Sequence, residues 1–336
     1  MTFQPTAPWD ALKLRAELLA RTRRFFDDRG FIEVETPILS ADIVVDRHLE
    51  PFHTELEAGP LSKRLYLQTS PEFHMKRLLA AGAEAIYQIT RAFRQGEIGR
   101  RHNPEFTIVE WYRVGDDYEA GMSLLSDLAE AYFARGRAER ISYREAFEKF
   151  VGVDPLKAEI AELIAAGAAH GLVPPESFLS PSPLAGEGRG EGLESAVDRD
   201  TWLDWLLTEL VEPNLGQHAP AILYDYPASQ AALAKLREDD TAVAERCELY
   251  FRGVELANGY HELLDPAVLR ERNRVNNQLR AADGKSTLPE SSHLLDAMEY
   301  GLPPCMGVAL GFDRVVMLAA GKSTLGEVVA FPIERA

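Results

Sequence analysis

Apolar residues recur at helical spacing over residues 9–29, where Leu14, Leu18 and Phe25 are separated by Arg and Glu, and Gly30 supplies a stop. A short apolar strand, Phe31 to Val34, follows before Thr36-Pro37. Residues 65–69 (LYLQT) read as a strand. Ser70-Pro71-Glu72 then opens a helix that runs to Gly82, with Ser at the cap, Pro in the first turn and an acid beside it. Strands at 86–93 and 106–112 flank a polar loop, 94–104, containing Gly96, Gly99 and Pro104; this predicts an antiparallel strand–loop–strand unit. The pattern then predicts helices at 121–134, 142–150, 155–170, 201–212, 228–238, 266–281 and 291–299. It predicts strands at 247–256 and from Val308 to Phe312, and a last helix from Arg314 to Gly321. Residues 177–198, rich in Gly, Ser and Pro, have little to bury and read as a flexible surface insertion. No internal repeat is found.

Composition narrows the class. The chain has 336 residues, 46% of them hydrophobic, enough for one large domain or two ordinary ones. No apolar run approaches the ~20 residues needed to span a bilayer, and the N-terminus has no basic start followed by an apolar stretch, so neither a membrane span nor a secretion signal is expected. Two distant cysteines, Cys247 and Cys305, argue against a disulfide framework or a zinc site and point to a reducing cytoplasm. The net charge of −17 argues against a protein that grips nucleic acid along its length. The basic stretch Arg91, Arg94, Arg100 and Arg101 is either a local anion site or a solvated face.

Four segments carry candidate chemistry. On a strand, Phe106, Ile108, Glu110 and Tyr112 of HNPEFTIVEWY share one face, and Thr107, Val109 and Trp111 the other. The first face is either a ligand wall, with Glu110 and Tyr112 meeting a cation and Phe106 stacking, or simply solvated. Arg94, at a strand end, can clamp a phosphate through two parallel bonds or be an ordinary surface arginine. In ELANGYHE, Glu255 and Glu262 flank Asn258-Gly259: oxygen ligands suited to Mg²⁺, or a charged hairpin turn. In GVALGFDR, Gly307, Ala309 and Gly311 share a face with almost no side chains. Either a flat ligand such as adenine approaches the backbone there, or a helix packs closely on it.

Taken together and in this order, the segments resemble the class II aminoacyl-tRNA synthetases. RGFIEVETPIL resembles the family's first motif, ITRAFRQGEIGRRHNPEFT the second and GVALGFDR the third, while HNPEFT and ELANGYHEL are similar to the lysyl subgroup. The resemblance covers roughly residues 10–334. It implies an α+β fold: a class II synthetase catalytic core with a mainly antiparallel sheet of six to seven strands flanked by helices, in a two-fold homodimer. It implies ATP and Mg²⁺ as cofactors, with Arg94 and Arg314 as the catalytic arginines on the α- and γ-phosphates. Gln95, Glu97, His102, Asn103, Phe106, Glu255, Leu256 and Gly311 would complete the ATP site. Ser70, Pro71, Glu72, Glu110, Tyr112, Asn258, Glu262 and Ala309 would line the amino-acid pocket, and Glu255 and Glu262 would carry the metal.

Three departures stand out. The first motif falls within about the first 30 residues, so no anticodon-reading barrel is expected ahead of it, and the chain resembles the free-standing ligases that join lysine or β-lysine to a lysine of elongation factor P. Ala309 stands where the synthetases carry glycine, a methyl-sized change worth ~1–3 kcal/mol of discrimination. Gly96 stands where the second motif carries an acid, with Glu97 next to it. A truncated synthetase that charges tRNA and a catalytically silent paralogue are the alternatives; the acidic total argues against the first, and retention of Arg94, Glu255, Glu262 and Arg314 against the second.

Overall fold

The first predicted helix forms as α1 (Trp9–Asp27), burying Leu18, Phe25 and Phe26 on one face. Beyond it the chain reverses at Gly30, whose positive φ of 76° suits glycine. The structure is a computed structural model that describes residues 3–179 and 197–336; most of the predicted insertion at 177–198 lies outside the described residues. Two compact units divide the chain: Met1–Arg137 with Leu233–Lys235 and Leu256–Ala336, and Ala138–Ala232 with Leu236–Glu255.

The first unit contains β1 (Ile32–Glu33), β2 (Leu39–Ser40), β3 (His53–Leu56), β4 (Lys63–Leu67), α2 (Glu72–Ala80), β5 (Ala85–Phe93), β6 (Glu105–Val114) and α3 (Tyr118–Phe133). The second contains β7 (Glu139–Ser142), α4 (Tyr143–Phe150), α5 (Ile160–Ala169), α6 (Glu176–Leu179), α7 (Arg199–Leu206), β8 (Ala221–Pro227) and β9 (Val243–Phe251). The division falls within β10 (Val254–His261), after which α8 (Pro266–Ala282), α9 (His293–Gly301), β11 (Cys305–Gly311) and α10 (Phe312–Ala319) belong to the first unit.

Among the described residues, eight strands join in one mixed sheet in the order β1-β5-β6-β11-β10-β9-β8-β7, and β2-β4-β3 form a small second sheet. Most pairs are antiparallel, but β1 with β5 and β7 with β8 are parallel. The expected sheet of six to seven strands is therefore corrected to eight, and two strands explain the shortfall. β8 is buried at both ends of its span and so lacks an alternating pattern, and its pairing with β9 shifts at Asp225, which has a positive φ of 62°. β7 has only four residues, none of them buried, so it too gives no strand pattern.

Two further expectations fail for local reasons. Residues 228–238 do not form a helix: a single 3-10 turn at Ala228–Gln230 ends before Ala232, whose φ is 48°, and Ala234 bridges in extended form to Glu262. The predicted strand at 247–256 is a hairpin. It turns at Arg252 (φ 52°) and Gly253 (φ 66°), the left-handed pair favoured by a two-residue connection. The Asn258-Gly259 turn is thus excluded: both residues lie inside β10, opposite Ala309 and Val308 of β11.

The predicted alternation on β6 holds. Val109 and Trp111 are buried, and Phe26 of α1 stacks on Tyr87 at 4.6 Å between ring centroids and meets Trp111 at 5.2 Å. On the other side, Phe73, Met75 and Leu79 of α2 belong to one buried cluster with Tyr112 and with Leu294, Leu295 and Met298 of α9. α2 and α9 therefore carry the opposite face of the sheet, and the site lies there.

Candidate active site

Strand register brings together several residues expected to line the amino-acid pocket. Gln88 of β5 lies opposite Glu110 of β6, Glu110 opposite Ala309 of β11, and Ala309 opposite Asn258 of β10. One row on, Ile86, Tyr112, Gly307 and Tyr260 line up in the same way. Partners directly opposite point to the same side of a sheet, so residues from four segments far apart in sequence share one surface.

That surface is a buried acid cluster. Glu110 is 1% exposed; Tyr112 donates its hydroxyl to Oε1 at 2.7 Å, and Ser70 donates to Oε2 at 2.7 Å. Ser70 in turn accepts the Glu72 backbone N–H at 3.1 Å, fixing the start of α2, so Ser70 does act at the helix entrance although Pro71 holds the cap position itself. Burial first, and the nearby Glu72 second, push the Glu110 carboxyl up to about 7. Burial, with Glu110 beside it, also raises the Tyr112 hydroxyl well above its ordinary value, so it remains a donor.

Composition could not reveal Lys76. One helical turn after Glu72, it reaches Glu72 Oε1 at 2.5 Å and contacts Glu262 Oε2. All three groups are buried. Burial alone would depress the lysine, but Glu262 and Glu72 outweigh it and hold Lys76 above its ordinary range. Burial pushes Glu262 up, and Lys76 opposes that. The Glu72–Lys76 spacing of four was visible as a helix pair; its burial was not.

The residues expected on the nucleotide side lie on the β5–β6 loop and at the start of α10. Arg94 lies over the Phe106 ring at 5.0 Å, and its Nη1 is 3.5 Å from Glu97 Oε1. Gly96 adopts φ +85°, a turn that L side chains rarely take, and the next residue brings its carboxylate back to Arg94. A carboxylate thus stands beside Arg94 one position after the expected acid. Gln95 donates its backbone N–H to Glu50 O at 2.8 Å. Arg314 Nη2 is 2.6 Å from His102 Nε2, bringing the second-motif loop and the third-motif arginine together. Asn103, 7% exposed, donates to Glu105 O at 2.6 Å and accepts from Ile333 N–H at 2.9 Å, so in this structure it braces the loop.

Asp313 carries a role the sequence did not suggest. Its carboxylate accepts the Thr107 backbone N–H at 3.0 Å and Arg15 Nη1 at 2.6 Å, while Arg15 Nη2 donates to Thr107 Oγ1 at 2.6 Å. The knot fixes Arg314 relative to β6. Gly307 also changes meaning: a Cβ there would lie 2.2 Å from Tyr112 Cε1 and 2.3 Å from Glu262 Oε1, so the protein's own side chains need the space. At Gly311 the nearest atoms, Arg314 Cδ and Leu256 O, are at an ordinary 3.8 Å.

For the metal, the donor chemistry allows one kind of site. Among the described residues no three His, Cys, Asp or Glu side chains form a ligand set. Glu262 is engaged by Lys76, and Glu255 is half-buried on β10. That suits Mg²⁺ held largely by nucleotide phosphates and water rather than by a protein cage.

A family model described as tRNA synthetases class II (D, K and N) matches residues 6–335. The chain belongs to this family. It is also 47% identical over 336 residues to the elongation factor P--(R)-beta-lysine ligase of Vibrio cholerae, covering 99% of this chain and 98% of that one. The enzyme of the same description from Klebsiella pneumoniae is 46% identical over 338 residues (100% and 98% covered), and that from Vibrio vulnificus 46% over 333 residues (98% of each). The family and its ligase relatives account for the order of the three motifs and for the nearly complete span of the resemblance. Among the described residues, no helix is long and apolar enough to cross a membrane.

Proposed function

We propose that this chain activates lysine or (R)-β-lysine with ATP and transfers the aminoacyl group to a lysine side chain of elongation factor P. The observation that carries the amino-acid assignment is the buried cluster of Glu72, Glu110 and Glu262 beside Tyr112 and Ser70. Buried carboxylates need cationic partners, and one internal lysine leaves room for more positive charge. The names of the relatives in the three species support elongation factor P as acceptor.

In the first step the substrate carboxylate, already ionised near a pKa of ~3.5, attacks the α-phosphorus. The new C(=O)O–P bond forms as the bond to the β-phosphate oxygen breaks, giving the adenylate and pyrophosphate. Arg94 would neutralise the α-phosphate and the carboxylate, with Phe106 beside it for adenine and Glu97 for the adenine amino group. Arg314 and His102 would receive the γ-phosphate. Gln95, Leu256 and Gly311 would complete the nucleotide walls. Ser70, Pro71, Asn258 and Ala309 would complete the amino-acid walls. Mg²⁺, when bound, would neutralise phosphate charge, with Glu255 as its protein ligand and Glu262 able to join only by sharing its carboxylate with Lys76.

In the second step an acceptor amine attacks the adenylate carbonyl. The amide C–N bond forms, AMP leaves and the nitrogen gives up a proton. Only about 0.1% of a lysine with pKa ~10.4 is neutral at pH 7.4, so the acceptor must be deprotonated on arrival. We further propose that two copies pair through the first-motif region, supported by exposed Ile32, Ile38 and Leu39.

Incubating the protein with ATP, lysine or (R)-β-lysine and elongation factor P, then weighing the factor, tests the assignment. The expected result is a mass gain of one lysyl residue. An unchanged mass with every amino acid offered refutes it.

A further inference from the structure

The three acids of the pocket are not equivalent, because a cation of the protein's own sits among them. Lys76 is 2% exposed and touches both Glu72 and Glu262, while Glu110 is held by Ser70 and Tyr112. Its ammonium is also 6.0 Å from the Tyr112 ring centroid, facing the wall that carries Glu110. α2 cannot easily move this ammonium: Phe73, Met75 and Leu79 on the same helix are packed against α9. The position between Glu72 and Glu262 therefore already holds a primary ammonium, the same chemical group that a lysine-type substrate brings.

We propose that Lys76 is a specificity-determining positioning residue: it permanently fills the ammonium site between Glu72 and Glu262 and so directs the incoming side-chain ammonium to the Glu110 end of the pocket. Three carboxylates could otherwise receive a diammonium amino acid in more than one register. With the position between Glu72 and Glu262 taken, a single register remains, and the distance from Glu110 to Arg94 selects the length of the substrate. Removing Lys76 opens a second register in which the substrate carboxylate is drawn away from the α-phosphate. The loss should then appear mainly in kcat for activation, since the amino acid still binds but out of line.

The inference rests on the lysine-type substrate proposed above. The experiment is ATP–pyrophosphate exchange, with the wild type as reference. Lys76→Ala should lose more than about tenfold in kcat with the KM for ATP unchanged, a drop equivalent to ~1.4 kcal/mol. Added propylammonium, which can restore the missing ammonium in the vacated space, should recover much of the rate, and the bulky tetramethylammonium should not. Lys76→Arg keeps the charge, and so the folded cluster, but extends the resident cation. It should shift the kcat/KM ratio toward the homologue one methylene shorter than lysine by about tenfold or more.

Lys76→Ala exchange at the wild-type rate overturns the assignment, as does a loss that propylammonium fails to repair. If Lys76→Ala does not fold, the Lys76→Arg ratio decides: an unchanged ratio overturns it. Wild-type exchange with no diammonium amino acid at all defeats the substrate proposal and this one together; normal wild-type exchange with unaltered variants defeats this one alone.

Discussion

Glu110 shows how one carboxyl can be costly and useful at once. Its elevated pKa, about 7, comes mainly from burial; an ammonium ligand binds the ionised form and so favours loss of the proton. As pH falls through 7 the carboxyl becomes neutral, and affinity for the cationic amino acid should weaken. The KM for lysine should therefore rise on acidification across that range while the KM for ATP stays flat, and Glu110→Gln should remove the step and raise the lysine KM about tenfold or more, from the ~1.5–3 kcal/mol of a charged hydrogen bond. Steady-state activation kinetics between pH 6 and 8.5 check this; a lysine KM indifferent to pH refutes it. The sequence made Glu110 and Tyr112 legible because strand alternation put them on one face. It could not show that Ser70 holds the second carboxylate oxygen, because that contact joins residues 40 apart. Nor could it show that Glu262 faces a lysine: the ion pair with Lys76 depends on β10 lying two strands away from β6, with β11 between them, which no local pattern encodes.

At the scale of elements, β11 carries the sharpest contrast. Gly307→Ala would drive a methyl into Tyr112 and Glu262, so a loss of about 1–3 kcal/mol in stability is expected, together with a collapse of pyrophosphate exchange. Gly311→Ala, whose neighbours are at ordinary contact distance, should melt close to the wild type. Thermal denaturation of the pair decides it, and equal melting temperatures would sink the argument. The glycine alternation in GVALG was visible, and a nearly bare face followed from it. What covers that face was not visible, because side chains from β6 and from the end of β10 do so. Helix existence followed the hydrophobic period where one face is solvated, as in α1, and β6, buried on both faces, was legible from its β-branched and aromatic run. The period failed where a strand is buried for most of its length, as in β8, and where left-handed residues such as Ala232 and Arg252 break a run that looks continuous.

At the scale of the whole molecule, order along the chain says little about nearness in space. The exposed Ile32, Ile38 and Leu39 are an apolar surface that a second copy would cover; sedimentation at micromolar concentration should find a dimer, and a monomer alone would overturn the pairing. The Arg15–Asp313 contact joins positions 298 apart, and through Thr107 it ties β6 to the start of α10, where Arg314 sits. This has a consequence for synthesis. While the ribosome is still translating, α1 and the β5–β6 loop are already out of the exit tunnel, but the residue that ties them together has not been made. The knot therefore cannot close until α10, which carries Asp313, has been made.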